Sequence, residues 1–301
     1  MLFTKYPEGQ NPPDIKSNGE MPMKRNKTGI ILVAILLIGV CVLLYPSFSQ
    51  YWNMRTQSRA VDNYKQILEE ISEDQYSELF ADAEKYNDQI SELKNPLWNY
   101  HDLSGYREAL DPSGTGIMGY ITIDKLGVEL PIYHGTSADI LNNACGHLEG
   151  TSLPIGGPGT HSVLSAHRGL PHAKLFTDLN LLEEGDTFTI TIIDRTVTYL
   201  VDQIKVVKPD QTEDLEIIKN EDYCTLLTCT PYGINSHRLL VRGTRIENAK
   251  PILYVTSDAY IIDSIVATPA VAAPILLILF VVLMVKYRNK GSKPIIEKEN
   301  S

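Results

Sequence analysis

Cysteine is scarce in this sequence. Four thiols in 301 residues, Cys41, Cys145, Cys224 and Cys229, lack the dense, even spacing that staples a small disulfide-built domain. A bond between Cys145 and Cys224 is left open. Cysteine pairs two to four residues apart are missing too: Cys224 and Cys229 are one residue too far apart for a zinc ribbon and fall on opposite faces of a strand. No metal and no other cofactor is therefore expected. Basic residues are thin in the middle of the chain, where residues 47–285 hold 17 Lys and Arg against 32 Asp and Glu. That imbalance excludes a phosphate-neutralising surface, and nucleic acid with it. Internal repeats and low-complexity runs are absent, whereas a 43% hydrophobic composition supports a real core.

Charge is missing altogether from two windows. Between Thr28 and Tyr51 no residue is ionisable as Lys, Arg, Asp or Glu, and Ile30 to Leu44 is almost wholly aliphatic, which suits a membrane helix of ~20 residues. Lys24, Arg25 and Lys27 precede it, so the positive-inside rule puts the amino terminus in the cytoplasm. The Leu44–Ser49 segment lacks an Ala-x-Ala cleavage site, which favours an uncleaved anchor over a signal peptide. A second uncharged run, Ser264 to Val285, closes with Lys286, Arg288 and Lys290. Both termini are then expected in the cytoplasm, with an acidic body outside. The expected organisation is a tail at 1–28, a span at 29–50, a helical segment at 51–110, a catalytic domain at 111–250, a linker at 251–263, a span at 264–285 and a tail at 286–301.

Periodicity fills in the body. Val61, Tyr64, Ile67, Leu68 and Ile71, then Leu79, Phe80, Ala83, Tyr86, Ile90 and Leu93, recur every three or four places and predict two amphipathic helices with a break near Glu73-Asp74-Gln75. Strands are predicted at Met118–Ile123, Val128–Tyr133, Thr160–Ala166, Thr187–Ile193 and Thr196–Val207, the last two forming a hairpin around Asp194-Arg195. Two more carry Cys229 and Arg238. Many short strands with long loops predict a mainly β protein, read as an antiparallel barrel.

The chemistry concentrates in Thr225-Leu226-Leu227-Thr228-Cys229-Thr230-Pro231. Thr and Leu favour a strand that Pro231 ends, so Cys229 is presented at a sheet rim. Arg238 opens the next strand across the loop. A thiolate attacks a carbonyl, and a fixed cation holds the oxyanion that forms. Arg242 lies on the same strand face as Arg238 but too far along to reach the loop. A base is offered by His167, at the end of the Thr160 strand. His101, His134, His147, His161, His172 and His237 compete; His237 neighbours Arg238 and points to the other face, and spacing alone does not choose among the rest.

The Thr-Leu-Leu-Thr-Cys text, Arg238 nine residues after the Cys and His167 62 residues before it together resemble the sortase family. The runs Gly146–Pro154 and His167–Pro171 resemble its class C, pilus-assembling branch. The resemblance implies an eight-stranded barrel flanked by two transmembrane helices, with Cys229 as nucleophile, His167 as acid and base, and Arg238 as oxyanion holder. It also implies pilin or surface-protein substrates with Leu-Pro-x-Thr-Gly-like sorting signals, a lysine amine as acceptor, and the lipid bilayer as a partner. A sortase that anchors proteins to a cell-wall precursor, and a catalytically silent membrane-tethered scaffold, are the alternatives. Class C sortases are similar in carrying a lid of Asp-Pro-aromatic ahead of the barrel. Here Asp111 and Pro112 match and Ser113 replaces the ring, so the segment is either a weakly closed lid with Asp111 near Arg238 or an ordinary turn.

Overall fold

The computed structural model describes residues 27–248 and a few helical residues between 272 and 282. Nearly all of the expected amino-terminal tail lies outside the described residues, as do the 251–263 linker, the 286–301 tail and most of the 264–285 span. The first surprise is helical. The uncharged run and the first amphipathic stretch form one continuous helix, α1 (Lys27–Glu69), which passes through Pro46. Its exposed apolar half runs into a half whose Val61 and Tyr64 are buried. The break falls slightly earlier than the periodicity predicts, because Ser72 caps α2 (Glu73–Glu92) in a box with Gln75.

Both helices lie against a barrel. On α2, Phe80, Ala83, Tyr86, Asn87 and Ile90 are buried on one face, and each large apolar side chain there contributes about 2 kcal/mol by leaving water. Asn87 makes the contact specific: its side chain donates to Leu153 O at 3.1 Å and accepts from Leu153 N at 2.6 Å. The Tyr64 hydroxyl donates to Met118 O at 2.9 Å and accepts from Ile193 N at 3.0 Å. That second bond supports an unusual turn. Ile193 sits at φ 54, a left-handed conformation that a β-branched residue rarely takes; its side chain is nonetheless buried in the core. The hairpin turn is therefore Ile193-Asp194, one residue before the expected place.

The strands are β1 (Ile117–Ile123), β2 (Val128–His134), β3 (Cys145–His147), β4 (Thr160–Ser165), β5 (Thr187–Ile192), β6 (Arg195–Val207), β7 (Asp222–Thr230) and β8 (His237–Ile246). They close in the order β1-β2-β3-β4-β7-β8-β6-β5. An eight-stranded barrel is thus present, with β3 too short to show a period in sequence. Its strands are not all antiparallel, as the pattern suggested: β2 pairs with β3 and β4 with β7 in parallel. Each of those pairs needs a connection that returns the chain to the starting end. For β4 and β7 it runs through β5, β6 and the loop after Val207. Cys145 and Cys224 are free and buried in the barrel core, so the bond left open by the sequence is not made.

A polar knot joins the helical segment to the barrel. Fully buried His147 donates from Nε2 to Ser152 O at 2.8 Å, and its Nδ1 lies 2.9 Å from the Tyr106 hydroxyl, which also accepts from Gly135 N at 3.0 Å. These partners suit a neutral ring. Burial pulls the His147 pKa down to about 4, helped by nearby His134 and opposed by the Ser152 carbonyl. Because the folded value lies below the ordinary 6.5, the contribution is complete above pH 6.5. It is lost as pH falls toward 4 and the unfolded chain takes up the proton, by about 3 kcal/mol for a shift of this size. Melting curves from pH 7 to 4 should show a falling acid limb in the wild type that is flatter in His147→Gln.

Candidate active site

Strand pairing brings the thiol, the imidazole and the guanidinium together. In the β7–β8 ladder Cys229 is the direct partner of Arg238. In the parallel β4–β7 ladder Ser165 pairs with Leu227. Ala166 N then donates to Leu227 O at 3.3 Å, and the Thr228 hydroxyl donates to Ala166 O at 2.8 Å. The alignment thus continues beyond the last strand residue, and two residues past Ser165 and Leu227 stand His167 and Cys229. Alternation decides the face. Leu164, Leu226, Leu239 and Val241 belong to the barrel core, whereas Val163, Leu227 and Leu240 form a separate cluster with Leu97, Leu148 and Leu215. His167, Cys229 and Arg238 have the parity of that second cluster. They form the top row of the outer face that carries this apolar cluster. Below, Leu97 and Leu215 also line a cavity of about 290 Å³ with Trp98 and Ile217.

The thiols differ in what they can do. Cys229 is half-buried and free, while Cys145 and Cys224 are fully buried and their thiol pKa values are pushed up by desolvation. A thiol held protonated and sealed is a poor nucleophile. Desolvation lowers the pKa of His167, and its ring has no hydrogen-bond partner among the described residues. The imidazole is therefore free to trade protons with a substrate. Arg238 uses Nη1 for Asn235 O at 3.2 Å and His237 O at 3.1 Å. No carboxylate pairs with it among the described residues, so Nε and Nη2 remain as donors.

Arg242 is different. It grips Asp202 through Nε at 3.1 Å and Nη2 at 2.8 Å and lies over the Tyr223 ring at 4.2 Å. This guanidinium is spent on holding β8 to β6. His237, the other near neighbour, engages Ser236 through Nδ1 at 2.9 Å.

Sequence reasoning missed Arg168 as a working residue. Its guanidinium donates to Thr177 O at 3.1 Å, to the Thr230 hydroxyl at 3.1 Å and to Asn180 Oδ1 at 2.6 Å. One side chain therefore ties the residue after His167 to the residue after Cys229. The only signal was its place beside His167. Gly169 completes the junction: at φ +80 it takes a left-handed turn, and a Cβ there would meet the Tyr232 ring at 2.8 Å.

The Asp111 segment is closed on itself. The Asp111 carboxylate accepts from the Ser113 hydroxyl at 3.0 Å, Thr115 N at 3.1 Å and Gly116 N at 2.8 Å. It caps its own turn at the start of β1, and no bond joins it to Arg238 among the described residues. The expected approach of Asp111 to Arg238 gains no hydrogen bond or ion pair among the described residues. With three donors in its own loop, the carboxylate has no need of a distant cation.

A closed barrel that presents one accessible thiol beside an imidazole and an unpaired guanidinium defines a class, the thiol-dependent acyl-transfer enzymes. The comparisons agree. A family model for the sortase domain matches residues 121–246. The crystal structure of sortase C1 from Streptococcus agalactiae is 47% identical, covering 64% of this chain and all of that one, with a TM-score of 0.59. A pilus-related sortase C of group B Streptococcus is 42% identical over 62% of this chain and 97% of that one, with a TM-score of 0.55. Sortase D of Bacillus subtilis (strain 168) is 28% identical over 151 residues, 49% of this chain and 73% of that protein. The chain belongs to the sortase family of cysteine transpeptidases, and these structural neighbours are of class C.

Two expectations follow. Arg168→Ala should lower kcat by about 10²-fold with little change in KM, because a displacement near 1 Å at a reacting group is that costly. Arg168→Lys should recover little, since a single ammonium nitrogen cannot span acceptors that three separate guanidinium nitrogens reach. Steady-state kinetics on a sorting-signal peptide would decide it, with thiol labelling of Cys229 checking the fold. In the same assay Arg238→Lys should cost about 10²-fold in kcat/KM. Arg242→Lys should leave kcat/KM near the wild type and lower Tm instead.

Proposed function

We propose that this chain is a membrane-anchored, pilus-building transpeptidase that cleaves a Leu-Pro-x-Thr-Gly-like signal between Thr and Gly and passes the acyl group to a pilin lysine. The observation that carries the reading is the single row of His167, Cys229 and Arg238 across three adjacent strands. The Cys229 sulfur forms a bond to the Thr carbonyl carbon, whose oxygen takes the negative charge beside the Arg238 donors. The C–N bond then breaks as His167 delivers a proton to the departing Gly amine. A lysine amine attacks the thioester, gives a proton to His167 and expels the thiolate, leaving an isopeptide bond and the starting enzyme. No water is consumed in this sequence, so it is transfer rather than hydrolysis.

Anchoring is supported by α1, whose apolar half is exposed over a length sufficient to cross a bilayer. In this reading the first span orients the barrel outside and the second span, at 264–285, returns the chain to the cytoplasm. The acidic body also suits a lysine-bearing acceptor.

Cys229→Ala is expected to abolish both peptide cleavage and polymer formation, because the remaining barrel thiols are sealed. In the wild type, hydroxylamine should intercept the thioester and release the peptide as a hydroxamate detected by mass spectrometry. Turnover in Cys229→Ala would remove the residue from the mechanism. Supplying a pilin fragment and a cell-wall peptide in competition distinguishes the acceptors: polymer formation supports this reading, and exclusive capture by the wall peptide overturns it.

A further inference from the structure

The junction between α1 and the barrel contains no spacer. Tyr45, Phe48, Tyr51 and Trp52 are exposed at the end of the uncharged run, where interfacial aromatic residues stand in a membrane helix. The next residue, Asn53, donates from Nδ2 to His172 O at 2.7 Å, 119 residues away. One turn on, Gln57 donates to Asn143 O at 2.7 Å. Helical rise moves the chain only about 1.5 Å from Trp52 to Asn53. The loop carrying His172 therefore lies at the level of the aromatic residues.

That loop is the one that begins at His167. Five residues of chain span at most about 17 Å and neighbouring strands lie about 4.8 Å apart, so the backbone of Cys229 is within about 22 Å of His172. Charge points the same way. Residues 51–60 contain Arg55 and Arg59 and no acid in a body that is otherwise strongly acidic. In the loop after His167, by contrast, the Lys174 ammonium is paired with Asp178 at 3.4 Å and Arg168 is held by Thr177, Thr230 and Asn180, so the free positive charge is that of α1. Arg55 and Arg59 are exposed, and Arg59 has no partner among the described residues.

Resting on the reading of α1 as a membrane span, we propose that the loop after His167 and the Tyr51–Arg59 stretch of α1 sit together on an anionic headgroup surface and hold the candidate active-site rim against the bilayer. The hydroxyl and indole groups of α1 occupy the interface, the two arginines meet lipid phosphates, and the acidic remainder of the barrel is turned away from them. A rim held there meets a polypeptide as it leaves the membrane, before its cleavage site has travelled far into solvent.

The test uses the full chain in nanodiscs containing phosphatidylglycerol, in a Cys41→Ser, Cys229→Ala background that needs no turnover. A fluorophore is attached at Pro171→Cys or at Lys219→Cys, an exposed position before β7 at the opposite end from Cys229. Headgroup-nitroxide lipid should quench the label at 171 and leave the label at 219 unchanged. Arg55→Glu with Arg59→Glu, or replacement of phosphatidylglycerol by phosphatidylcholine, should reduce the quenching at 171. If Pro171→Cys fails to fold, His172→Cys reports on the same loop. Insertion into discs without quenching at 171, or with equal quenching at 219, overturns the proposal and leaves the transpeptidase reading intact. Failure to enter discs overturns the span on which the proposal rests.

Discussion

The parallel pairing of β4 with β7 is the constraint on which the site depends. Neither strand is next to the other in sequence, and neither carries a complete reactive group alone. Their register, extended by the Ala166 and Thr228 hydrogen bonds, sets an imidazole beside a thiol without any bond between those two side chains. Slipping the pairing by one residue would turn His167 toward the barrel interior, because side chains alternate faces. The β7–β8 ladder then adds Arg238 by direct pairing, and Arg168 secures the two loops where the ladder has ended.

Around that pairing, polar groups are sorted by whether they are already satisfied. His147 and His161 have both ring nitrogens engaged, and Arg242 and Asp111 have local partners. His167 and Arg238 keep unpaired donors or acceptors, and Cys229 is the barrel thiol that is not sealed. A reactive site here is the place where the fold leaves hydrogen-bonding capacity unused at an accessible rim. The helical cover serves the same end, since Tyr64, Asn87 and Tyr106 bind backbone on the barrel and so hold the long apolar helix and the candidate rim in one frame.

Much of this was legible in the chain itself. The Thr-Leu-Leu-Thr-Cys run, Pro231 after it and Arg238 beyond the turn place thiol and guanidinium on adjoining strands by local rules alone. The first uncharged window and the three-to-four spacing of Val61, Tyr64, Phe80, Tyr86 and Ile90 announce α1 and α2, because an apolar run and core burial leave their marks on composition and period. Seven of the eight strands follow from alternation.

What local rules could not reach are the matters decided between distant segments. Whether β4 lies parallel to β7, whether α1 continues unbroken from apolar run to barrel, and whether Asp111 turns to Arg238 or to its own loop each depend on partners tens of residues away. Arg168 is the clearest case. In sequence it is one more charge beside a histidine; only the fold delivers Thr177, Asn180 and Thr230 to its guanidinium. Sequence determines which side chains can react and which faces must be buried, since those are properties of residues and their spacing. Tertiary structure alone decides which hydrogen-bonding groups find partners, and at the accessible rim it leaves the His167 ring and part of the Arg238 guanidinium without them.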